Sequence, residues 1–364
     1  MNKVGNKKLV IFGAYGGANI GDEVILHAAL FLARSRGFDG GDIRVLTIVR
    51  STLEKDQDAN DYAGLDVRWA YIGNFLSAFK LLWGCNLFIG GGQIIDGAYG
   101  YKLPLMQLVA AFICRVSGGR VIVGGAGVYS VDTKAVKSLY SCLFSLCHEV
   151  VVRDDSSYEM LQYVSTRREN IRTASDIVFS LRGELNVKSE KKHVAFAIHK
   201  APHLSLLNFD VAVKIATNLK EEYGDDFVVV VHDNRPEFDL DFAKRLVEKV
   251  SKITGGSLIP VKVFSNVEEC LAFYCETRII VSSRMHPLII GSLAGCECLP
   301  LQGSSKVDEF ARLAGLTVAD PAELSGDTDV ESYAKVVDAG KLEELHRSSL
   351  TLFDGFSSRG KGDV

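Results

Sequence analysis

Residues 9–23 have the sequence LVIFGAYGGANIGDE. The apolar run Leu9 to Phe12 predicts a buried strand, and the glycines after it predict a turn into a helix that begins near Asp22. Glycine lets the backbone approach a ligand closely, and the first turn of a helix offers unpaired N–H groups to an anion or a sugar hydroxyl. The alternative is that the glycines serve packing and that Asp22 and Glu23 only cap the helix. The candidate site residues here are Gly16, Gly17, Asn19, Asp22 and Glu23.

Short β-branched runs alternate with helical patterns along the rest of the chain, which predicts parallel βαβ units. In the first half the predicted strands are Leu9–Phe12, Arg44–Val49, Leu87–Ile89, Val121–Val123 and Val150–Val152. The alternation pauses at the polar segment Arg182 to Lys192 and restarts at His193–Ile198. In the second half the predicted strands are His193–Ile198, Phe227–Val231, Pro260–Phe264 and Arg278–Val281, with helices around Val211–Tyr223 and Leu240–Ile253.

The pause divides the chain into two predicted domains. We expect an α/β fold with an N-terminal Rossmann-like, doubly wound domain over residues 1–185 and a C-terminal one over 190–345, followed by a segment and tail over 346–364. Two such domains are expected to face a central cleft, because ligands of open α/β sheets bind at the carboxyl ends of the strands.

The composition excludes several classes of protein. The 364 residues are 47% hydrophobic and 24% charged, which is typical of globular domains and not of disordered chains. A net charge of −4 argues against nucleic acid as a partner. Met1 to Lys8 lack the apolar core of a signal peptide, and the apolar run Leu103 to Cys114 is too short to cross a bilayer. We therefore expect a cytoplasmic protein.

The cysteines predict neither disulfides nor a metal site. The closest pair, Cys296 and Cys298, flanks Glu297, and no second pair has metal-ligand spacing. Reduced thiols in the core are the expectation, with a zinc site or a disulfide as the alternatives.

Three consecutive glycines, Gly90 to Gly92, follow a predicted strand. Because glycine loses more backbone freedom on folding than other residues, such a run is costly unless a ligand or another segment approaches closely. We expect a ligand there, with tight packing as the alternative. The candidate residues are Gly91, Gly92, Gln93 and Asp96.

The most informative stretch is IIVSSRMHP, residues 279–287. A strand ends in two serines, and Pro287 suits the first turn of the helix that follows. Arg284 is thereby delivered beside a helix N-terminus, which suits a phosphate or carboxylate, and His286 can exchange a proton near neutral pH. The alternatives are a structural histidine and an arginine that is paired with a carboxylate.

Two further stretches are weaker candidates. Residues 152–157 have the sequence VRDDSS and residues 174–176 the sequence ASD. Capping of a helix by Asp155 or Ser156, and a simple turn at Ala174 to Asp176, account for them equally well.

Taken in order and spacing, these stretches resemble the polysaccharide pyruvyl transferase family. The resemblance extends from about residue 12 to residue 316. Its motif near the start matches Gly17, Asn19, Gly21, Asp22 and Glu23, and its triple glycine matches Gly90 to Gly92. Further matches are Val152, Arg153, Asp154 and Ser157, then Ala174 to Asp176 with Ser175 inserted, then Arg284 and His286, and lastly a lysine-containing loop at Ser305 to Val307 with Phe310 behind it.

The resemblance implies a GT-B-like fold with phosphoenolpyruvate as donor and co-substrate, the acceptor on the side of the N-terminal domain and the donor on the side of the C-terminal domain. No other cofactor is expected. No metal is expected either, because no cluster of His, Asp and Glu has ligand spacing, with a metal at Asp22 and Glu23 as the alternative. It implies a sugar acceptor, which is free, polymeric or lipid-linked; a lipid-linked acceptor would place the protein peripherally at the inner membrane face. Arg284 and His286 are then the implied catalytic residues, with Arg153 among those of the acceptor side or cleft. The implied donor-binding residues are Arg284, Met285, Ser283, Lys200, His199 and Lys306.

One position departs from the family pattern. His199 and Lys200 stand where an arginine is frequent, and a lysine supplies charge without the two-pronged geometry of a guanidinium. A nucleotide-sugar-dependent glycosyltransferase of similar shape is the principal alternative function, and a non-catalytic sugar-binding relative is another.

Overall fold

The structure is a computed structural model. It describes residues 8–49, 61–62, 65–66, 68–98, 100–129, 131–164, 168–188, 190–198, 208–256, 258–326 and 330–356. The chain forms two compact units: the first comprises Met1–Gly17, Val24–Ser180 and Leu345–Val364, and the second comprises Ala18–Glu23 and Leu181–Glu344.

The first unit contains a seven-stranded parallel sheet with the strand order β11-β10-β8-β6-β1-β2-β5. Its helices are α1 (Ile20–Ser35), which starts in the second unit's segment, α2 (Phe75–Leu82), α3 (Lys102–Val116), α4 (Lys134–Leu146) and α5 (Asp155–Gln162). The strands are β1 (Leu9–Gly13), β2 (Ile43–Thr47), β3 (Asp61–Tyr62), β4 (Leu65–Asp66), β5 (Arg68–Tyr71), β6 (Asn86–Gly90), β7 (Ile95–Asp96), β8 (Val121–Ala126), β9 (Val128–Tyr129), β10 (Glu149–Val152) and β11 (Ile171–Thr173). Strands β3 with β4 and β7 with β9 form two small separate sheets.

The second unit contains a six-stranded sheet with the order β14-β13-β12-β15-β16-β17, in which only β17 is antiparallel to its neighbour. The strands are β12 (His193–Ala197), β13 (Phe227–Val231), β14 (Val261–Val263), β15 (Thr277–Ser282), β16 (Glu297–Pro300) and β17 (Lys335–Val336). The helices are α6 (Phe209–Tyr223), α7 (Asp241–Ile253), α8 (Val267–Cys275), α9 (Met285–Leu293), α10 (Ser305–Ala314), α11 (Pro321–Leu324), α12 (Val330–Tyr333) and α13 (Ala339–Leu350), which ends in the first unit. The two parallel sheets confirm the predicted α/β class.

The central strands of both sheets are buried on their two faces, as expected of parallel sheets with helical crossovers. In β1, each residue from Leu9 to Gly13 is buried, and the same holds for Phe227 to Val231 in β13. This is why the strands are continuous apolar runs in the sequence and not alternating ones. The thiols Cys296 and Cys298 are buried and free, and Cys142 is exposed and free.

The end of the chain packs against the first sheet. The ring of Phe353 stacks on Phe88 of β6, with centroids 4.4 Å apart. Arg172 donates hydrogen bonds to the carbonyl and the hydroxyl of Thr351, each at 2.8 Å. Leu345 to Phe356 therefore belong to the first unit, whereas the sequence set residues 346–364 apart as a separate segment.

Each sheet has one position at which the strand order reverses direction. It lies between β1 and β6 in the first sheet and between β12 and β15 in the second. Such switch points are where open α/β sheets bind ligands. The glycine-rich stretches after β1 and β6 follow the first of these positions, and the SSRMH stretch follows the second. Within the described residues, no helix is long and apolar enough to cross a membrane.

Candidate active site

The turn that carries Arg284 is pinned to the neighbouring strand. Ser282 donates its hydroxyl to the carbonyl of Ala197 at 2.8 Å, and the backbone N–H of Arg284 donates to that hydroxyl at 2.9 Å. Ser283 also donates its backbone N–H to Ala197, at 3.2 Å. The two serines therefore hold the turn against the end of β12, and Arg284 stands at the N-cap of α9.

Buried apolar residues anchor α9 behind this turn. Met285, Pro287, Leu288 and Ile289 are buried. They fix the helix, so that the partly exposed side chains of Arg284 and His286 are presented from a rigid element. Met285 itself is 9% exposed, which leaves its side chain as part of this packing.

Arg284 is paired with a buried carboxylate. Its Nη2 lies 2.5 Å from Oδ2 of Asp239, which is 2% exposed. The same Oδ2 accepts the backbone N–H of Asp233 at 3.1 Å. The carboxylate pairing considered in the sequence thus exists, but a guanidinium carries five donors. Nε of Arg284 is buried and makes no hydrogen bond among the described residues, so a donor remains for an anion.

The segment around Asn19 pairs with the backbone beyond β13, within the second unit. Ile20 donates its N–H to the carbonyl of His232 at 2.8 Å, and Asn234 donates to the carbonyl of Ala18 at 3.0 Å. An isolated antiparallel bridge joins Asn19 to Asp233 between these bonds. This pairing is why Ala18–Glu23 belong to the second unit, although the predicted boundary at residue 185 assigned them to the N-terminal domain.

The Asn19 side chain organises the start of α1. Its Oδ1 accepts the N–H of Gly21 at 3.1 Å, and its Nδ2 donates to Oδ2 of Asp22 at 3.0 Å. Ala18, the residue before it, has a φ of 65°, which is uncommon for a residue other than glycine. The Asn19 side chain thereby caps the helix and orients the Asp22 carboxylate.

His286 lies directly against this segment. A Cβ atom added to Gly21 would lie 2.7 Å from Nδ1 of His286 and 3.3 Å from Oδ1 of Asn19. Only a glycine leaves room for the imidazole at this position. The structure therefore brings Asn19 and Asp22, which the sequence assigned to the acceptor side, together with Arg284 and His286.

The charges around Asp22 are mixed. Burial raises the pKa of Asp22 to about 6, against the nearby positive charges of Lys306 and Arg284 and the hydrogen bond from Asn19, all of which lower it. Its carboxyl group therefore exchanges a proton near neutral pH. Lys306 lies in the first turn of α10, a helix where the sequence predicted a loop.

The sequence did not identify four polar residues near this site: His232, Asp233, Asp239 and Tyr274. The buried Nε2 of His232 lies 2.6 Å from the hydroxyl of Tyr274. Burial lowers the pKa of His232 well below its usual value, and the charges of Arg284 and His286 act in the same direction. The run HDNR at residues 232–235 follows the end of β13. Polar residues directly after an apolar strand are a sequence signal from which His232 and Asp233 were predictable as site residues.

Packing accounts for the triple glycine in the first unit. A Cβ atom on Gly90 would lie 2.2 Å from the carbonyl oxygen of Gly124, and one on Gly91 would lie 1.9 Å from Ile25. Gly91 and Gly92 also have positive φ angles of 76° and 70°. The packing considered as the alternative is thus present, and Tyr15 adds a hydrogen bond from its hydroxyl to Gly90.

Arg153 is enclosed by a network of the first unit. It is 5% exposed, and its guanidinium lies 3.3 Å from Asp154 and 3.4 Å from Asp176. Asp154 caps α5 by accepting the N–H of Ser157 at 2.7 Å, so the cap is not the predicted Asp155 or Ser156. Ser175 donates its hydroxyl to the carbonyl of Leu345. These contacts are structural.

The remaining candidates lie in several places. Gly16 and Gly17 are in the turn after β1, Glu23 is partly buried in α1, Gln93 is partly buried after β6, and Asp96 is buried and accepts the N–H of Ala98 at 2.7 Å. His199 and Lys200 lie outside the described residues. Among the described residues, no group of three or more His, Cys, Asp and Glu side chains is arranged to hold a metal ion.

Comparisons with known proteins agree on family and fold. The family model described as "Polysaccharide pyruvyl transferase" matches residues 19–305, more than half of the chain. No curated protein has a significantly similar sequence.

Solved structures share the fold at low sequence identity. A UDP-GlcNAc 2-epimerase from Neisseria meningitidis, bound to UDP-GlcNAc, is 11% identical with a TM-score of 0.61, over 96% of this chain and 99% of that one. A glycosyltransferase from Rickettsia africae is 13% identical with a TM-score of 0.55, over 97% and 95%. The Anabaena protein HepE, in complex with UDP and glucose, is 11% identical with a TM-score of 0.53, over 97% and 96%. These similarities confirm the predicted GT-B fold class.

Proposed function

Because the chain belongs to the polysaccharide pyruvyl transferase family, we propose that it transfers the pyruvyl group of phosphoenolpyruvate to two hydroxyls of one sugar. The product is a pyruvate ketal, and inorganic phosphate is released. The acceptor sugar is part of a polysaccharide or of its lipid-linked precursor.

One arrangement supports this proposal most directly. Arg284 and Lys306 supply positive charge close to Asp22, and His286 packs on Gly21 next to that carboxyl group. A donor with a phosphate and a carboxylate needs such cations, and an enol ether needs a proton donor beside them. His199 and Lys200 follow β12, the strand next to β15, and they remain further proposed donor contacts.

The proposed reaction begins with a proton transfer. His286, protonated, gives its proton to the methylene carbon of phosphoenolpyruvate, and the adjacent carbon becomes cationic. The first sugar hydroxyl attacks that carbon and loses its proton to the carboxylate of Asp22. The phosphate then leaves with its C–O bond electrons, and the second hydroxyl attacks the same carbon. Asp22 passes the first hydroxyl proton to the departing phosphate, and the proton of the second hydroxyl restores His286.

Arg284 and Lys306 have an electrostatic role in this scheme. They bind the anionic groups of the donor and stabilise the departing phosphate. The pKa of Asp22, about 6, leaves its carboxyl group mostly ionised at neutral pH, as a proton acceptor requires.

The test is phosphate release from phosphoenolpyruvate with a panel of sugars and lipid-linked sugars. We expect release only with an acceptor, and a loss of about a hundredfold or more in His286→Ala. Arg312→Ala is a matched control, because Arg312 is an exposed residue of α10 that forms an ion pair with Glu309 on the same helix. Phosphate release by His286→Ala at the normal rate would refute the role of His286. Consumption of a nucleotide sugar, without pyruvyl transfer, would instead indicate a glycosyltransferase.

A further inference from the structure

Helix α3 carries an exposed apolar stripe. Leu105, Val109, Phe112 and Val116 are exposed by 42%, 36%, 56% and 56%, although they lie on a helix that covers the first sheet. Their spacings of four, three and four residues place them on one side of the helix. The stripe is about 16 Å long at the helical rise of about 1.5 Å per residue.

Further exposed apolar side chains lie at the start of α3 and on the helix that packs against it. Tyr101, at the N-cap of α3, is 60% exposed, one helical turn before Leu105. Helix α2, which packs against α3, adds Leu76, and its C-cap residue Trp83 is 54% exposed. Monomeric proteins seldom leave a contiguous apolar area of this kind open to water, so it indicates an interaction surface.

The charges on this helical layer have one sign. Helices α2, α3 and α4, where α3 packs against both of the others, contain basic residues and no acidic residue in their sequences. All of the basic residues are exposed. They are Lys80, Lys102, Arg115, Lys134 and Lys137.

The other helices show that this bias is local. The net charge of the whole chain is −4. Helices α6 and α7, in the second unit, mix acidic and basic residues on their surfaces, as the Lys252–Glu248 pair illustrates. A surface that combines apolar side chains with only positive charge complements a lipid bilayer with anionic head groups, where both kinds of side chain contribute to binding.

We propose that helices α2, α3 and α4 dock the protein on the surface of an anionic membrane. The apolar stripe enters the boundary between head groups and acyl chains, and the surrounding lysines and Arg115 contact the anionic head groups. Tryptophan and tyrosine favour this depth of the bilayer, in accord with the positions of Trp83 and Tyr101. Docking is independent of the proposed pyruvyl transfer and is testable without either substrate.

The experiment measures co-sedimentation of the full chain with vesicles. One set is phosphatidylcholine alone, and the other is phosphatidylcholine with an equal amount of phosphatidylglycerol. We expect binding to the anionic vesicles only, weakened by high salt. The double variant Lys102→Gln/Arg115→Gln should bind about thirtyfold more weakly, since each basic residue near such a surface contributes about 1 kcal/mol. Leu105→Ser/Phe112→Ser should lose at least about tenfold.

Matched controls come from the second unit. Lys244→Gln/Lys249→Gln removes two exposed charges of α7, and Ile253→Ser/Leu258→Ser removes two exposed apolar side chains. Both should bind as the wild type does, and all variants should retain the wild-type unfolding temperature. Failure of the wild type to bind anionic vesicles, or equal losses in the controls, would overturn the proposal. Light scattering gives a further test. The proposal would also be overturned if the wild type formed a dimer that dissociated in Leu105→Ser/Phe112→Ser or Lys102→Gln/Arg115→Gln but not in the control variants.

Discussion

The imidazole of His286 occupies the space that a side chain at Gly21 would need. A Cβ atom at Gly21 would lie 2.7 Å from Nδ1 of His286, which is closer than real Cβ atoms approach other atoms. The two residues are far apart in the chain and lie in the same compact unit. The contact links the helix start after β1 to the residue with the proposed role of acid.

Gly21→Ala should therefore displace His286. We expect kcat to fall at least about tenfold and the free energy of unfolding to fall by about 1–3 kcal/mol, because the added methyl group overpacks the contact. Steady-state phosphate release and urea unfolding measure the two effects. Gly41→Ala is the control, since an added Cβ there meets nothing within 4 Å. Wild-type kinetics in Gly21→Ala would show that this contact does not position His286.

Asp22 should make stability depend on pH. Burial raises its folded-state pKa from 3.8 to about 6, so its contribution is fully present below about pH 4 and is lost as the pH rises through 6. The loss is at most about 3 kcal/mol, from about 1.36 kcal/mol per pKa unit. An asparagine does not titrate, so Asp22→Asn should not show this loss of stability with rising pH. The free energy of unfolding of the variant should therefore rise relative to that of the wild type between about pH 4 and pH 7.

Urea unfolding across that pH range measures the difference, with Asp226→Asn as the control because Asp226 is exposed. Parallel pH profiles for Asp22→Asn and the wild type would contradict the raised pKa. In the proposed mechanism, activity of the wild type also rises through pH 6 as Asp22 ionises, and Asp22→Asn should lose that limb of the profile.

Arg284 should have two separable effects. Arg284→Ala leaves the buried carboxylate of Asp239 without its cation, which should destabilise the fold by about 3–5 kcal/mol. It should also raise KM for phosphoenolpyruvate. In the double variant Arg284→Ala/Asp239→Asn, we expect much of the stability to return while KM stays high. Recovery of a normal KM in the double variant would show that Arg284 acts only through its pair with Asp239.

Arg153 should affect stability rather than substrate binding. Its guanidinium is enclosed by Asp154 and Asp176, so Arg153→Leu leaves two buried carboxylates without their cation. We expect the free energy of unfolding to fall by about 3–5 kcal/mol. Below the lowered unfolding temperature, KM for the acceptor should change less than twofold. A large rise in that KM, with little loss of stability, would assign Arg153 to the acceptor site instead.

Most of the secondary structure was predictable because the strands are buried on both faces. The runs Leu9–Phe12, Phe227–Val231 and Arg278–Val281 lie within or coincide with observed strands. Helix ends were less predictable, since the cap of α5 is Asp154 and the loop expected at Lys306 is the first turn of α10. A cap depends on the geometry of one side chain, and neighbouring Asp and Ser residues are equivalent in a sequence pattern.

The sequence by itself determined the α/β class and the positions of polar and glycine-rich turns at strand ends, because burial and turn geometry act over a few residues. The tertiary structure alone decided which of these turns meet. Backbone hydrogen bonds from Ile20 to His232 and from Asn234 to Ala18 join the Asn19 segment to the unit of Arg284 and His286. Backbone groups are the same in every residue, so a pairing between distant segments leaves no local trace in side-chain sequence.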